Sequence, residues 1–117
     1  MKMEHVTILT KKFEEEIKFY EDFCGLKIVS DRRPALDLVF LADGEDATRV
    51  EIIRNPEADD SGNQFISIGF GVNDAAGMRE EYQSRGLETT ELISPNPKVK
   101  FFYVKDPAGV RVQFVEA

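Results

Sequence analysis

The chain has 117 residues, of which 42% are hydrophobic and 10% aromatic, enough for one folded domain with a core of its own. Lys and Arg number 15 against 22 Asp and Glu, so the net charge of −7 argues against nucleic acid and anionic membranes as partners. The single cysteine, Cys24, excludes an internal disulfide and a multi-cysteine zinc site, and no N-terminal apolar segment is long enough for a signal peptide, so we expect a cytoplasmic protein.

Residues 1–54 are predicted to form a βαβββ unit. Polar and apolar residues alternate from residue 5 to 9, which indicates a strand, and Thr10 stands at a helix N-cap position. The helix that follows should end at Gly25, with its acidic run 14–16 in solvent; its apolar stripe is Phe13, Ile17, Tyr20 and Cys24. Three further strands are expected at 26–30, 36–41 and 48–54.

The pattern begins again after a polar linker at residues 55–64. In residues 65–117 we expect a strand at 66–72, an N-cap at Asp74 and a helix closed by Gly86; its apolar stripe is Ala75, Met78 and Tyr82. Strands should follow at 90–93, 99–105 and 110–116. The predicted fold is therefore α+β: a single domain, 1–117, in which two tandem βαβββ units form an open barrel-like sheet around a concave cavity.

An offset of 62 residues relates the two halves. It aligns identical residues at four places, Tyr20 with Tyr82, Phe40 with Phe102, Arg49 with Arg111 and Val50 with Val112. It also aligns His5 with Ser67 and Glu51 with Gln113. These four polar residues are therefore expected at equivalent places, converging on one cavity.

One helix can cover only one face of each sheet, so the other face should be open for a ligand. The glycines at 69 and 71 leave that face bare. The predicted cavity residues are His5, Thr7, Arg49, Glu51, Ser67, Gly69, Arg111 and Gln113. Two alternatives remain open here: Glu51 could form a salt-bridged cluster with Arg49 or Arg111, or the arginines could attract a carboxylate or phosphate.

The motifs resemble those of a known family. They are a histidine in the first strand, Val-Glu-Ile-Ile at 50–53, Ile-Ser-Ile-Gly-Phe-Gly-Val-Asn-Asp at 66–74 and Asp-Pro-Ala-Gly-Val-Arg-Val-Gln-Phe at 106–114. This pattern is similar to the vicinal oxygen chelate superfamily, which includes glyoxalase I, bleomycin-resistance proteins and extradiol dioxygenases. The resemblance implies a homodimer and a possible divalent metal (Ni, Zn, Mn or Mg) held by His5, Glu51 and Gln113. Ser67 and Gln113 depart from the His and Glu of the family.

Three functions fit the sequence. The first is a small-molecule binder like the bleomycin-resistance branch, without full metal catalysis, whose net charge would favour cationic ligands. The second is a divalent-metal-dependent lyase or isomerase resembling lactoylglutathione lyase (glyoxalase I). The third is an interaction module whose cavity is filled by its own side chains, and the two glycines count against it. No catalytic residue is assigned.

Overall fold

The computed structural model describes residues 1–117, which divide into two compact units, 1–60 and 61–117. The first unit contains β1 (His5–Thr10), α1 (Phe13–Cys24), β2 (Lys27–Asp31), β3 (Leu38–Ala42) and β4 (Arg49–Arg54). A 3-10 helix, Asp60–Phe65, leads into β5 (Ser67–Gly71), α2 (Ala75–Ser84), β6 (Ile93–Asn96), β7 (Val99–Lys105) and β8 (Arg111–Glu116). The order βαβββ therefore occurs twice, and the predicted α+β fold is confirmed.

Each unit has a four-stranded sheet in which the first strand lies beside the last. The orders are β1-β4-β3-β2 and β5-β8-β7-β6. The pairs β1–β4 and β5–β8 are parallel, and the other pairs are antiparallel. His5 is opposite Arg49 in the first sheet, and Ser67 is opposite Arg111 in the second. The offset of 62 therefore holds for both parallel pairs.

The offset fails at the third strand of each unit. Phe40 is opposite Glu51, whereas the residue opposite Gln113 is Tyr103, and Phe102 is opposite Phe114. The connection from β7 to β8 is one residue shorter than that from β3 to β4, which shifts the equivalence to 63. The counterpart of Phe40 is thus Tyr103, and the predicted match with Phe102 is wrong.

Helix α1 packs on β4 and forms the core of the first unit. Phe13, Ile17 and Tyr20 are buried as predicted, whereas Cys24 is only half-buried. The prediction of a fully solvated acidic run is wrong for Glu16, whose side chain is completely buried. Glu16 lies three residues after Phe13 and four before Tyr20, so the helical period places it within the apolar stripe.

The two ends of α1 differ from each other in how well they were predicted. Gly25 has a φ of 67° and its N–H donates to the Tyr20 carbonyl, the expected left-handed cap. Thr10 is not the N-cap, because the helix begins after Lys12 and has no side-chain cap there. Thr10 is instead the last residue of β1, and its hydroxyl accepts a hydrogen bond from the Lys12 N–H at 3.0 Å.

Helix α2 packs on β7 and β8 and forms the core of the second unit. Ala75 and Tyr82 are buried, and the Tyr82 ring meets Phe114 edge to face at 5.4 Å. The predicted N-cap is confirmed, since the Asp74 carboxylate accepts from the Gly77 N–H at 3.0 Å. The strand expected at 90–93 instead occupies Ile93–Asn96.

Thr90 explains the displacement of that strand. Its N–H donates to the Tyr103 carbonyl at 3.0 Å, and its hydroxyl accepts from the Tyr103 N–H at 3.0 Å. The Thr90 hydroxyl thus replaces a backbone carbonyl as the acceptor, and regular strand pairing begins only at Ile93.

The segment predicted as a linker, 55–64, is partly helical, because the 3-10 helix begins within it at Asp60. The Asn63 amide donates to the Ala108 carbonyl at 2.8 Å, which holds the end of this segment against the β7–β8 turn. That the two units behave as a single domain stays a prediction. None of the helices has the length and apolar character needed to span a bilayer.

Candidate functional site

The helix-free face of the first sheet, here called face 1, brings together four of the predicted residues. Thr7 lies opposite Glu51 in the parallel register, and its hydroxyl donates to Glu51 Oε1 at 2.5 Å. His5 Nε2 lies 3.6 Å from the same oxygen. The side chain of His5 is 43% exposed and that of Glu51 12% exposed, so solvent reaches this pair mainly at His5.

An aromatic ring supports the cationic residue of face 1. The guanidinium carbon of Arg49 lies 5.7 Å from the centre of the Phe40 ring, and His5 meets that ring edge to face at 5.6 Å. Arg49 forms no ion pair with Glu51, although both lie on the same face of β4. The predicted alternative of an Arg49–Glu51 salt bridge is therefore wrong.

The helix-free face of the second sheet, here called face 2, carries the remaining predicted residues. Ser67 and Gly69 lie on β5, opposite Arg111 and Gln113 of β8. The guanidinium carbon of Arg111 lies 4.2 Å from the centre of the Tyr103 ring. Arg49 over Phe40 and Arg111 over Tyr103 are thus the same arrangement in two copies.

Thr7 and Gly69 occupy equivalent positions on the two faces. The change from threonine to glycine alters the surroundings of the side chain opposite, Glu51 on face 1 and Gln113 on face 2. A Cβ at Gly69 would lie 3.2 Å from the Gln113 Oε1 atom, so the glycine leaves only just enough space for the amide. Whereas Glu51 accepts the Thr7 hydroxyl, the residue opposite Gln113 on β5 is Gly69, which has no side chain to donate to the amide. Its amide donor and acceptor groups are therefore available to a ligand.

The strongest ion pairs lie away from both faces. Arg33 donates two side-chain hydrogen bonds to Asp31, at 2.9 and 2.6 Å, and these lower the pKa of Asp31 to about 2. Arg54 pairs with Asp37 at 2.7 Å and also with Glu14. Asp37 raises the pKa of Arg54 through this hydrogen bond. In contrast, neither Arg49 nor Arg111 has a carboxylate within ion-pair distance.

The donor set of face 1 is too small for a divalent metal. The first unit brings one imidazole and one carboxylate together, and its Glu51 oxygen already accepts the Thr7 hydroxyl. No group of three or more His, Cys, Asp and Glu side chains lies close enough to hold a metal ion. Two donors do not complete the three or four protein ligands of a typical zinc site, so the first unit alone does not fit such a metal. A metal on His5, Glu51 and Gln113, and convergence of these residues with Ser67, stay predictions.

The sequence did not reveal that Phe40, Tyr103 and Lys105 lie beside the two arginines on the open faces. Phe101 and Tyr103 are half-buried, whereas Phe102 and Val104 of the same strand are buried. Lys105 lies opposite Arg111 and on the same face as Tyr103. The alternation 101, 103, 105 against 102, 104 could have revealed this.

Comparison with known proteins agrees with the fold. The family model of the Glyoxalase/Bleomycin resistance protein/Dioxygenase superfamily matches residues 2–114. The chain belongs to this superfamily. A "Lactoylglutathione lyase" from Haemophilus influenzae is 27% identical over 125 residues, covering 99% of this chain and 93% of the relative.

Two solved structures share the fold at low identity. TnmS3, an antibiotic binding protein from a Streptomyces species, has a TM-score of 0.78 at 14% identity, covering 99% of this chain and 95% of its own. A lactoylglutathione lyase from Agrobacterium tumefaciens has a TM-score of 0.72 at 19% identity, covering 99% and 93%. One fold thus accommodates a protein named for binding and another named for catalysis, so the site residues must decide between these functions.

Proposed function

We propose that this member of the glyoxalase superfamily binds a small organic molecule on its open sheet faces, without full metal catalysis. One observation carries the proposal: two arginines at equivalent positions stack on aromatic rings and have no acidic partner, although the chain has 22 acidic residues. A guanidinium held by a ring and not neutralised is prepared to bind a polar group of a ligand.

The ligand contacts we propose are the eight residues predicted from the sequence. On face 1 they are His5, Thr7, Arg49 and Glu51, and on face 2 they are Ser67, Gly69, Arg111 and Gln113. Face 1 combines both signs of charge with a neutral hydroxyl, whereas face 2 combines a cation with a neutral amide. Such a small number of polar groups beside aromatic rings is the usual composition of a site that orients an organic ligand.

A second candidate is a divalent-metal-dependent lyase or isomerase of the glyoxalase I type. It is favoured by the 3.6 Å separation of His5 Nε2 and Glu51 Oε1 and by the relatedness to a lactoylglutathione lyase. The donor set argues against it, because an amide is a weaker ligand than a carboxylate and cannot act as a general base. Glu51 would have to be a metal ligand and could not easily serve as the base as well.

Thermal unfolding with and without divalent metals separates the two candidates. A metal that binds only the native state raises Tm by an amount that grows with its concentration, so we expect no rise with Ni, Zn, Mn or Mg. The variant Gln113→Glu adds a carboxylate at the departing position and is the matched control, in which a rise is expected. A large rise in the unaltered protein that disappears in His5→Ala would establish the metal-dependent candidate instead.

The assembly and location belong to the same proposal. We propose a cytoplasmic homodimer, supported by the superfamily membership and by the single, half-buried cysteine. We also propose that residues 1–117 unfold as one domain. Sedimentation across a wide concentration range and calorimetry test these points: a monomer at every concentration, or two separate unfolding transitions, would contradict them.

A further inference from the structure

We propose that face 2 binds the carboxylate of a small aromatic or apolar acid, with Arg111 as the anchoring residue. This inference rests on the proposed small-molecule binding and names the class of ligand. It runs against the sequence-based expectation that the net charge of −7 favours cationic ligands. At physiological ionic strength the Debye length is about 8 Å, so the charges nearest the ligand outweigh the net charge of the chain.

The charges of face 2 are all positive. Arg111 and Lys105 lie directly opposite each other on β8 and β7. The face they share has no acidic side chain on β5, β7 or β8. Like charges directly opposite in a sheet destabilise it, and a bound anion would relieve that repulsion.

The guanidinium of Arg111 is oriented for a planar anion. The guanidinium carbon of Arg111 lies 4.2 Å over the centre of the Tyr103 ring, and this cation–π contact provides no acceptor oxygen for the N–H donors. No side-chain hydrogen bond or ion pair occupies these donors, whereas Arg33, Arg54 and Arg79 all pair with acids. Two parallel N–H donors match the two oxygens of a carboxylate.

The rest of face 2 indicates the body of the ligand. Gln113 follows Arg111 at the next position on the same face, about 7 Å along the strand, and offers an amide donor and acceptor. Gly69 and Gly71 present no side chain beside it, and both are exposed. Phe101 and Tyr103 meet edge to face at 5.7 Å and supply an aromatic border. A carboxylate with a polar substituent across one ring, as in 4-hydroxybenzoate, matches this spacing.

Three compounds with the same ring test the charge of the ligand. The full chain is titrated with 4-hydroxybenzoate, 4-hydroxybenzamide and 4-hydroxybenzylamine, and backbone amide shifts are followed by NMR. We expect the carboxylate to bind at least tenfold more tightly than the amide or the amine, with the largest shifts on β5 and β8. Tighter binding of the amine, or equal binding of the amide, would overturn the inference.

Variants test the anchor. Arg111→Ala should weaken binding of 4-hydroxybenzoate at least tenfold, and Arg111→Lys, which keeps the charge but loses the two-pronged donor, should weaken it several-fold. The matched control is Arg85→Ala, because Arg85 also lies over a tyrosine, 5.8 Å from the Tyr82 ring in the same unit. We expect this variant to bind within twofold of the unaltered protein. If Arg111→Ala does not fold, Arg111→Lys decides, and unchanged binding in a folded variant would refute the anchor.

Failure of this inference can be told apart from failure of the proposed function. If a broader panel of neutral or cationic molecules binds while no carboxylate does, the ligand class is wrong and small-molecule binding stands. If no small molecule of any charge binds, both are wrong.

Discussion

Faces 1 and 2 have the same backbone and different chemistry. In both, an arginine stacks on a ring of the neighbouring antiparallel strand, and a polar residue follows two positions later. On face 1 that residue is Glu51, which already interacts with Thr7 and His5, whereas on face 2 it is Gln113, next to a glycine. The repeat therefore preserves the strand order and the register of the parallel pairs, while single substitutions change charge and hydrogen bonding. The binding properties of each face therefore have to be derived from its own side chains and not from those of the other unit.

The helix-covered sides of the two sheets should be equivalent in stability as well as in structure. The largest predicted effect, on the free energy of unfolding, tests this equivalence. Tyr20 and Tyr82 are related by the offset of 62 and are 0% and 5% exposed. Replacing either by alanine removes a buried ring, so Tyr20→Ala and Tyr82→Ala should each lower the free energy of unfolding by about 3–5 kcal/mol. Urea denaturation measures it, with the exposed Lys18→Ala expected within about 0.5 kcal/mol of the unaltered chain. A loss below about 1 kcal/mol at only one tyrosine would break the equivalence.

The hydrogen bond that distinguishes face 1 should contribute measurably to stability. Thr7→Val keeps the shape of the side chain but removes the donor to Glu51, so unfolding free energy should fall by about 1 kcal/mol. Thr7→Ser retains the hydroxyl and is the control. Equal stability of the valine and serine variants in urea would show that the bond is replaced by water at no cost.

The glycines of face 2 should respond differently to the same substitution. Gly71→Ala places a Cβ in open space, so it should stabilise the chain by about 0.4–1 kcal/mol through the unfolded state. Gly69→Ala brings its Cβ to 3.2 Å from Gln113 Oε1, and the amide must move, so its gain should be smaller or reversed. The two variants are compared by urea denaturation. A larger gain at position 69 than at 71 would contradict the close fit of Gln113.

The smallest effect concerns Asp31 in β2, whose pKa Arg33 lowers from 3.8 to about 2. The folded state favours the ionised form of Asp31 more than the unfolded state does. The ion pair therefore contributes to the stability of the fold above about pH 4, and this stability is lost as the pH falls towards 2. Between these values Tm should fall slightly more in the unaltered protein than in Asp31→Asn. If Tm changes with pH in the same way in both proteins, the Asp31–Arg33 pair adds no stability.

Periodic patterns were enough to predict the order of elements and the arrangement of the open faces. The alternation along β1 and β5 and the helical stripes of Tyr20 and Tyr82 follow from local geometry, so residues facing the helix could be assigned. The burial of Glu16 was not predicted, because a charged residue inside an apolar stripe breaks the hydrophobic pattern. Its burial is decided by packing around the helix and not by its type.

The errors in the site have a different cause. Pairing Phe40 with Phe102 required the connections between strands to be equally long, and one missing residue in the second hairpin reverses the face on which a side chain lies. The partner of Glu51 was also chosen by charge, whereas the parallel register placed Thr7 nearest. Side-chain partners across strands depend on register, which composition and periodicity do not determine.

The pairing of first strand with last also has a consequence for synthesis of the chain. Thr7 and Glu51 are 44 residues apart in sequence, so β1 must wait for β4, whereas β2, β3 and β4 can pair through short connections. On the ribosome, the polar cluster of His5, Thr7 and Glu51 therefore comes together only when nearly the whole first unit has emerged. In the second unit, likewise, Gly69 of β5 cannot lie beside Gln113 until β8 has emerged.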